Sequence, residues 1–141
     1  HRDCPSSIKP KLREVLIDLI ENHAVDMFYV GQQGAFDGIV RSVLMEVVSV
    51  YPHVGYAVVL ERLPPKRDEF DTRDYSDTML PEGIELVHPH YAISWRNNWM
   101  LKQSDYVVTY ITHSYGGAAQ YARKAKSARK RIIDLGEQRT E

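Results

Sequence analysis

The sequence holds one cysteine, Cys4, so no internal disulfide can form, and no Cys/His spacing of the zinc type is present. A lone thiol fits a reducing compartment, and a cytoplasmic location is the expectation. No run approaches the ~18 consecutive apolar residues that mark a membrane-spanning helix. An excess of charge of one sign is also missing: 18 Lys and Arg stand against 19 Asp and Glu, a formal net charge of −1. There is then no global positive field to hold nucleic acid or an anionic membrane, and any anion site must be built locally. What remains is ordinary. With 141 residues, 43% apolar and 26% charged, the chain has the size and composition of a single globular domain. It has no internal repeat and no low-complexity segment.

Hydrophobic periodicity supplies the order of elements. Ile8, Leu12, Val15, Leu16, Leu19 and Ile20 recur near every 3.6 residues and predict an amphipathic helix. Met27-Phe28-Tyr29-Val30 is a short β-prone run, and Phe36, Ile39, Val40, Val43, Leu44, Val47 and Val48 return to helical spacing. Gly55 to Leu60 predicts a second buried strand, and the polar stretch from Glu61 to Glu82 a long surface loop. Ile84 to Val87 predicts a weaker strand. A helix over Tyr91 to Gln103 carries Ala92, Trp95, Trp99 and Met100 on one face, and Asp105 to Ile111 is a further strand. A turn from Thr112 to Gly117 leads into a helix lined inward by Ala118, Ala119, Ala122 and Ala125, and Arg131 to Leu135 closes as a strand. Strands alternating with amphipathic helices imply an α/β, Rossmann-like, three-layer α/β/α fold with a mostly parallel sheet.

In such a sheet, ligands bind outside the carboxyl ends of the strands, where loops enter helix N-termini. Two glycine-bearing turns take that position, Gly31 to Gly38 and Thr112 to Gly117. Glycine lets backbone N–H groups approach a ligand, and a helix N-terminus offers unpaired donors, so phosphate is the natural guest. Tight turns alone would also explain the glycines.

Gly31-Gln32-Gln33-Gly34-Ala35-Phe36-Asp37 resembles the GGxxGxD turn of the SLOG superfamily of Rossmann-like proteins, with Gln32 in place of the second glycine. That superfamily includes the DNA-processing protein A and the "lonely guy" phosphoribohydrolases. Arg96-Asn97-Asn98-Trp99-Met100, followed by Ser104-Asp105, is similar to the RNxxM helix and SD-strand junction of its small bacterial YspA-like and YpsA-like branch. Gly116-Gly117-Ala118 with Tyr121-Ala122 resembles that branch's GGTxxxxxYA motif, and His1-Arg2 the tail of its TGHR motif. The match runs in order along nearly the whole chain.

The resemblance implies binding or sensing of a nucleotide or nucleotide-derived ligand, an ADP-ribose-like compound or a nucleoside phosphate. The candidate ligand-binding residues are Arg2, Gly31, Gln32, Gly34, Asp37, Arg96, Ser114, Gly116 and Gly117. Arg96 would pair with phosphate or carboxylate, or form a surface ion pair. Asp37 would accept from a ribose, or act only as a dipole partner at a helix start. Ser114 would cap the helix or donate to a phosphate. Hydrolase members of the superfamily cleave a base from a ribose 5'-phosphate with an arginine and a glutamate. Here Arg96 matches the arginine, but Gln120 stands where the glutamate would be and Ala118 where a threonine is usual, which favours binding without turnover. Phosphoribohydrolase or N-glycosidase activity stays open as the alternative, and no catalytic residue is assigned. Single-stranded DNA binding through Arg123, Lys124, Lys126, Arg129, Lys130 and Arg131 is a third reading, disfavoured by the charge balance. A homodimer, frequent in the superfamily, is undecided. No cofactor is expected, and His88-Pro89-His90 lacks the acidic or Cys partners of a metal site. In the related proteins a strand precedes TGHR and lies centrally in the sheet. The resemblance therefore leads us to expect about 5–6 further strand residues and a Thr-Gly turn before His1.

Overall fold

Period-3.6 and period-2 segments alternate along the chain and fold into helices and parallel strands. The computed structural model describes residues 5–63, 70 and 74–136. A 3-10 turn leads into α1 (Lys9–His23), followed by β1 (Met27–Val30), α2 (Ala35–Val50), β2 (Gly55–Val59) and the two-residue β3 (Thr78–Met79). Two 3-10 turns precede α3 (Ala92–Gln103), and β4 (Tyr106–Thr109), α4 (Gly117–Ser127) and β5 (Arg131–Asp134) complete the order. All strand pairs are parallel, in a sheet β1-β2-β3 and a sheet β4-β5. With helices on both sides of the strands, this is an α/β fold of Rossmann-like character.

Side-chain alternation shows how the layers are made. Phe28 and Val30 of β1, Tyr106 and Val108 of β4 and Ile133 of β5 join the core that α1 and α2 line with Leu12, Leu16, Val43 and Leu44. The intervening residues face the other way: Tyr29 meets Trp99 of α3 edge-on at 5.2 Å, and Val107 and Ile132 pack with Leu101 of α3 and Ala125 of α4. This is the two-residue period of a sheet covered on both faces. The two sheets therefore share one layer, although no ladder joins them among the described residues. β2, paired on both edges, buries Val58 and Val59 to 1% and 0% exposure, whereas Met27 of β1 remains 39% exposed.

Three expectations are corrected. Ile84–Leu86 is a 3-10 turn and not a strand: Gly83 at φ 96° turns the chain and Val87 donates back to the Ile84 carbonyl, so no ladder can start. The long loop contributes a strand, since Val58 and Leu60 donate to the carbonyls of Asp77 and Met79. On α4, Ala119 and Ala125 are buried but Ala118 is exposed, because the inward face begins one residue later. Arg2 and the expected strand before His1 lie outside the described residues. Among the described residues no helix is long and apolar enough to cross a membrane.

Candidate functional site

The carboxyl ends of β1 and β2 lie side by side, because Val30 pairs with Val58. Whatever follows each strand therefore meets its neighbour: Gly31 to Gly34 from one, Leu60 and Glu61 from the other. Arg96 reaches this junction from α3. It is only 1% exposed, donates from Nη1 to the Val59 carbonyl at 2.8 Å, and is steadied by Nε donating to Oδ1 of Asn97 at 2.9 Å. Its Nη2 makes no hydrogen bond among the described residues.

Gly31 accommodates that guanidinium. A Cβ at Gly31 would lie 3.1, 3.2 and 3.3 Å from Nη1, Cζ and Nη2 of Arg96, so the glycine admits a flat charged group against the turn. Its backbone is not in the left-handed region, and neither is that of Gly34, which caps α2 at φ −160°. Gln32, Gln33 and Gly34 form the exposed rim. Asp37, in the first turn of α2, accepts the Gln33 N–H on Oδ2 at 2.8 Å, a carboxylate reaching back to pair a free donor at a helix start. The Gln33 side chain bridges onward, with Nε2 3.4 Å from Oε1 of Glu61.

Electrostatics tie these groups together. Burial pulls the Arg96 guanidinium below its ordinary value while Asp37, Glu61 and Tyr121 push it back up. An arginine starts high enough to remain a cation at neutral pH regardless. Burial pushes the Tyr121 phenol up to about 12, against Arg96, which pulls it down, and with Asp37, which adds to the rise. One cation, two carboxylates and a neutral phenol thus converge from the β1–α2 turn, the end of β2, α3 and α4.

The second glycine turn opens α4. Gly116 has φ 95° and ψ −179°, a conformation open essentially to glycine alone, and Gly117 has free space where a Cβ would stand. No side chain caps α4, so Ser114 does not serve as its cap; it is exposed and its carbonyl accepts from Arg123 at 3.2 Å. The first amides of α4 keep the unpaired donors common to helix starts. Gln120 is exposed and lines an open groove between α3 and α4 with Asn98, Arg123 and Lys124. Its neighbour Tyr121 is the residue that turns toward Arg96.

The structure therefore brings Gly31, Asp37 and Arg96 together, with Gln32 and Gly34 on the rim, and links them through Tyr121 to the helix that Gly116 and Gly117 start. Glu61, Asn97 and Tyr121 are the members that sequence reasoning did not single out as site residues. Among the described residues no group of three His, Cys, Asp or Glu side chains is placed to hold a metal ion, and His88 instead accepts the His90 N–H at 3.0 Å. No family model, curated protein or solved structure matches the chain.

Proposed function

We propose that this domain binds a nucleotide-derived small molecule, an ADP-ribose-like compound or a nucleoside phosphate, between the Arg96 cluster and the start of α4. The observation that carries this reading is Arg96. A side chain 1% exposed has been desolvated at considerable cost, and it holds its charge against the glycine turn that opens α2, in the field of Asp37, Glu61 and Tyr121. Phosphate would fall to the α4 amides, where a helix N-terminus favours anions. The site lies at the carboxyl ends of parallel strands, the common place for ligands in this class of fold.

The test is a calorimetric and thermal-shift panel of ADP-ribose, AMP and inorganic phosphate. Gly117→Asp places a carboxylate at the start of α4, where it favours the helix but repels phosphate. The expected result is binding by the wild type and weakened binding, with an unchanged or higher Tm, in this variant. Arg96→Lys should weaken binding as well. No binding to any nucleotide, or equal binding by all three proteins, refutes the reading. Asp37 and Glu61 beside Arg96 also favour base cleavage as a second reading, because acid–base work on a glycosidic bond uses carboxylates. Release of free base from bound AMP or ADP-ribose would select it.

A further inference from the structure

The near-zero net charge conceals a segregation. Residues 91–133 hold eight of the 18 Lys and Arg but only one of the 19 Asp and Glu, Asp105. Among the described residues none of these eight cations forms an ion pair, whereas Arg13 and Arg41, on the helices of the opposite face, each hold a carboxylate. Arg129 carries its charge at a cost in backbone strain: it takes the left-handed conformation, φ 61°, just past α4, where glycine is usual. Between α3 and α4 runs an open groove of about 570 Å³, within the size range of ligand clefts. Arg123 and Lys124 line it with the side-chain amides of Asn98 and Gln120, and Leu101 and Ala128 supply apolar surface. Arg123 Nη1 donates to the Ser114 carbonyl at 3.2 Å and Lys124 Nζ to Oδ1 of Asn98 at 3.4 Å, which leaves both cations without a carboxylate among the described residues.

We infer that this groove docks an extended acidic segment of a partner protein, one in which Asp or Glu side chains flank an apolar side chain. Carboxylates pair with Arg123 and Lys124, and the planar guanidinium can take one of them in bidentate fashion. The apolar side chain covers Leu101 and Ala128. A peptide backbone carries donors as well as acceptors, which suits the amides of Asn98 and Gln120, each able to give and to accept. The surrounding cations draw an acidic segment in and make its association dependent on salt. The same lining argues against a nucleic-acid strand: a phosphodiester backbone brings acceptors only, and among the described residues no aromatic side chain lines the groove for a base to stack on. None of the lining residues belongs to the Arg96 cluster, so the inference stands apart from the nucleotide reading.

The test is fluorescence anisotropy, at low and at physiological salt, with three probes: a labelled peptide repeating Glu-Leu-Glu, oligoglutamate of the same length, and single-stranded oligo(dT). The wild type should bind the Glu-Leu-Glu peptide roughly 10-fold or more tightly than oligoglutamate, the effect of burying one leucine side chain, and more weakly as salt rises. Arg123→Glu should weaken that binding by about 10-fold or more. Circular dichroism and Tm establish that this variant is folded, and Ser127→Glu, further along the α4 wall of the groove, gives a second reading if it is not. No binding of the peptide by the wild type overturns the inference. Equal affinity for the peptide and oligoglutamate overturns it too, because charge alone then accounts for the binding, and so does an affinity that both variants retain in full. Tighter binding of oligo(dT) than of the peptide, lost in the same variants, assigns the face to a nucleic acid and overturns the peptide.

Discussion

Replacing Gly31 by alanine separates two roles for that glycine by the sign of the effect. The backbone of Gly31 is not in the left-handed region, so a Cβ brings no dihedral strain. If the glycine were only a loose turn, alanine would stabilise the protein by about 0.4–1 kcal/mol by stiffening the unfolded chain. The added carbon would, however, sit 3.1–3.3 Å from three atoms of the Arg96 guanidinium. That group has nowhere easy to go: it is buried, held at 2.8 Å by the Val59 carbonyl and at 2.9 Å by Asn97. Overpacking of this kind costs about 1–3 kcal/mol, and any shift that breaks the Val59 bond leaves a buried charge short of an acceptor. Gly31→Ala should therefore lower the urea midpoint with no change in m. In an Arg96→Met background the same substitution should cost less, with a coupling of about 1 kcal/mol or more. A Gly31→Ala protein as stable as the wild type would refute the packing account.

Other outcomes follow from particular contacts. Arg41 of α2 grips Asp77 with two 2.7 Å hydrogen bonds, and the Tyr56 hydroxyl donates to the same carboxylate at 2.7 Å. Burial works to raise the Asp77 pKa, but Arg41 and Tyr56 prevail and hold it below its ordinary 3.8. A lowered carboxylate contributes stability above its ordinary value that is lost as pH falls through the folded one. Acid titration of stability should thus show a loss below about pH 4 that Asp77→Asn removes, and the variant should be about 1–2 kcal/mol less stable at pH 7. Tyr121 gives the opposite window: with its phenol raised from 10.0 to about 12, its share of stability is whole below pH 10 and lost as pH rises toward 12. Absorbance titration at alkaline pH should lose its latest-ionising tyrosine in Tyr121→Phe; an unchanged curve would place that phenol in water. Gly136→Ala drives a Cβ into the Ile111 carbonyl and should cost about 3 kcal/mol or more, read as a large fall in Tm. By hydrogen exchange, the amides of β1 and β4, each with one strand neighbour among the described residues, should exchange faster than the amides of β2, which is paired on both sides. Equal protection would refute that difference in pairing.

The architecture was legible because hydrophobic spacing reports it directly: the segments reading 3.6 became α1 to α4, and the runs at 27–30, 55–59, 106–109 and 131–134 became strands. Where the reading failed, a partner decided. Ile84-Glu85-Leu86-Val87 alternates as a strand does, yet among the described residues no strand pairs with it, and Pro81 and Gly83 curl it into a 3-10 turn. Thr78–Met79 shows no pattern of its own and is a strand only because β2 offers an open edge. The basic stretch after Ala122 is likewise divided by its neighbours. Arg123 and Lys124 bond Ser114 and Asn98, and Arg131 lies over the Tyr106 ring at 5.9 Å.

Sequence pattern singles out Arg96, Gly31 and Asp37 but not how they meet. A glycine read for its approach to a ligand already has an occupant from inside the protein, the guanidinium itself. Glu61 was hidden because its place beside Gln33, 28 positions earlier in the chain, exists only once β1 and β2 pair in register. A usable signal was there, since Glu61 is the first ionisable residue after a buried strand, where parallel sheets put their ligands. Position alone would not have sufficed, however, because Asp134 ends β5 at the same edge. Its Oδ1 already takes the Ile111 N–H at 2.9 Å, the Thr109 hydroxyl at 3.2 Å and the Gly136 N–H at 3.2 Å. A carboxylate so supplied is holding a turn together, while Glu61 has one 3.4 Å hydrogen bond and a 3.9 Å ion pair among the described residues. That difference in hydrogen bonding, invisible in residue type or spacing, is what assigns Asp134 to the fold.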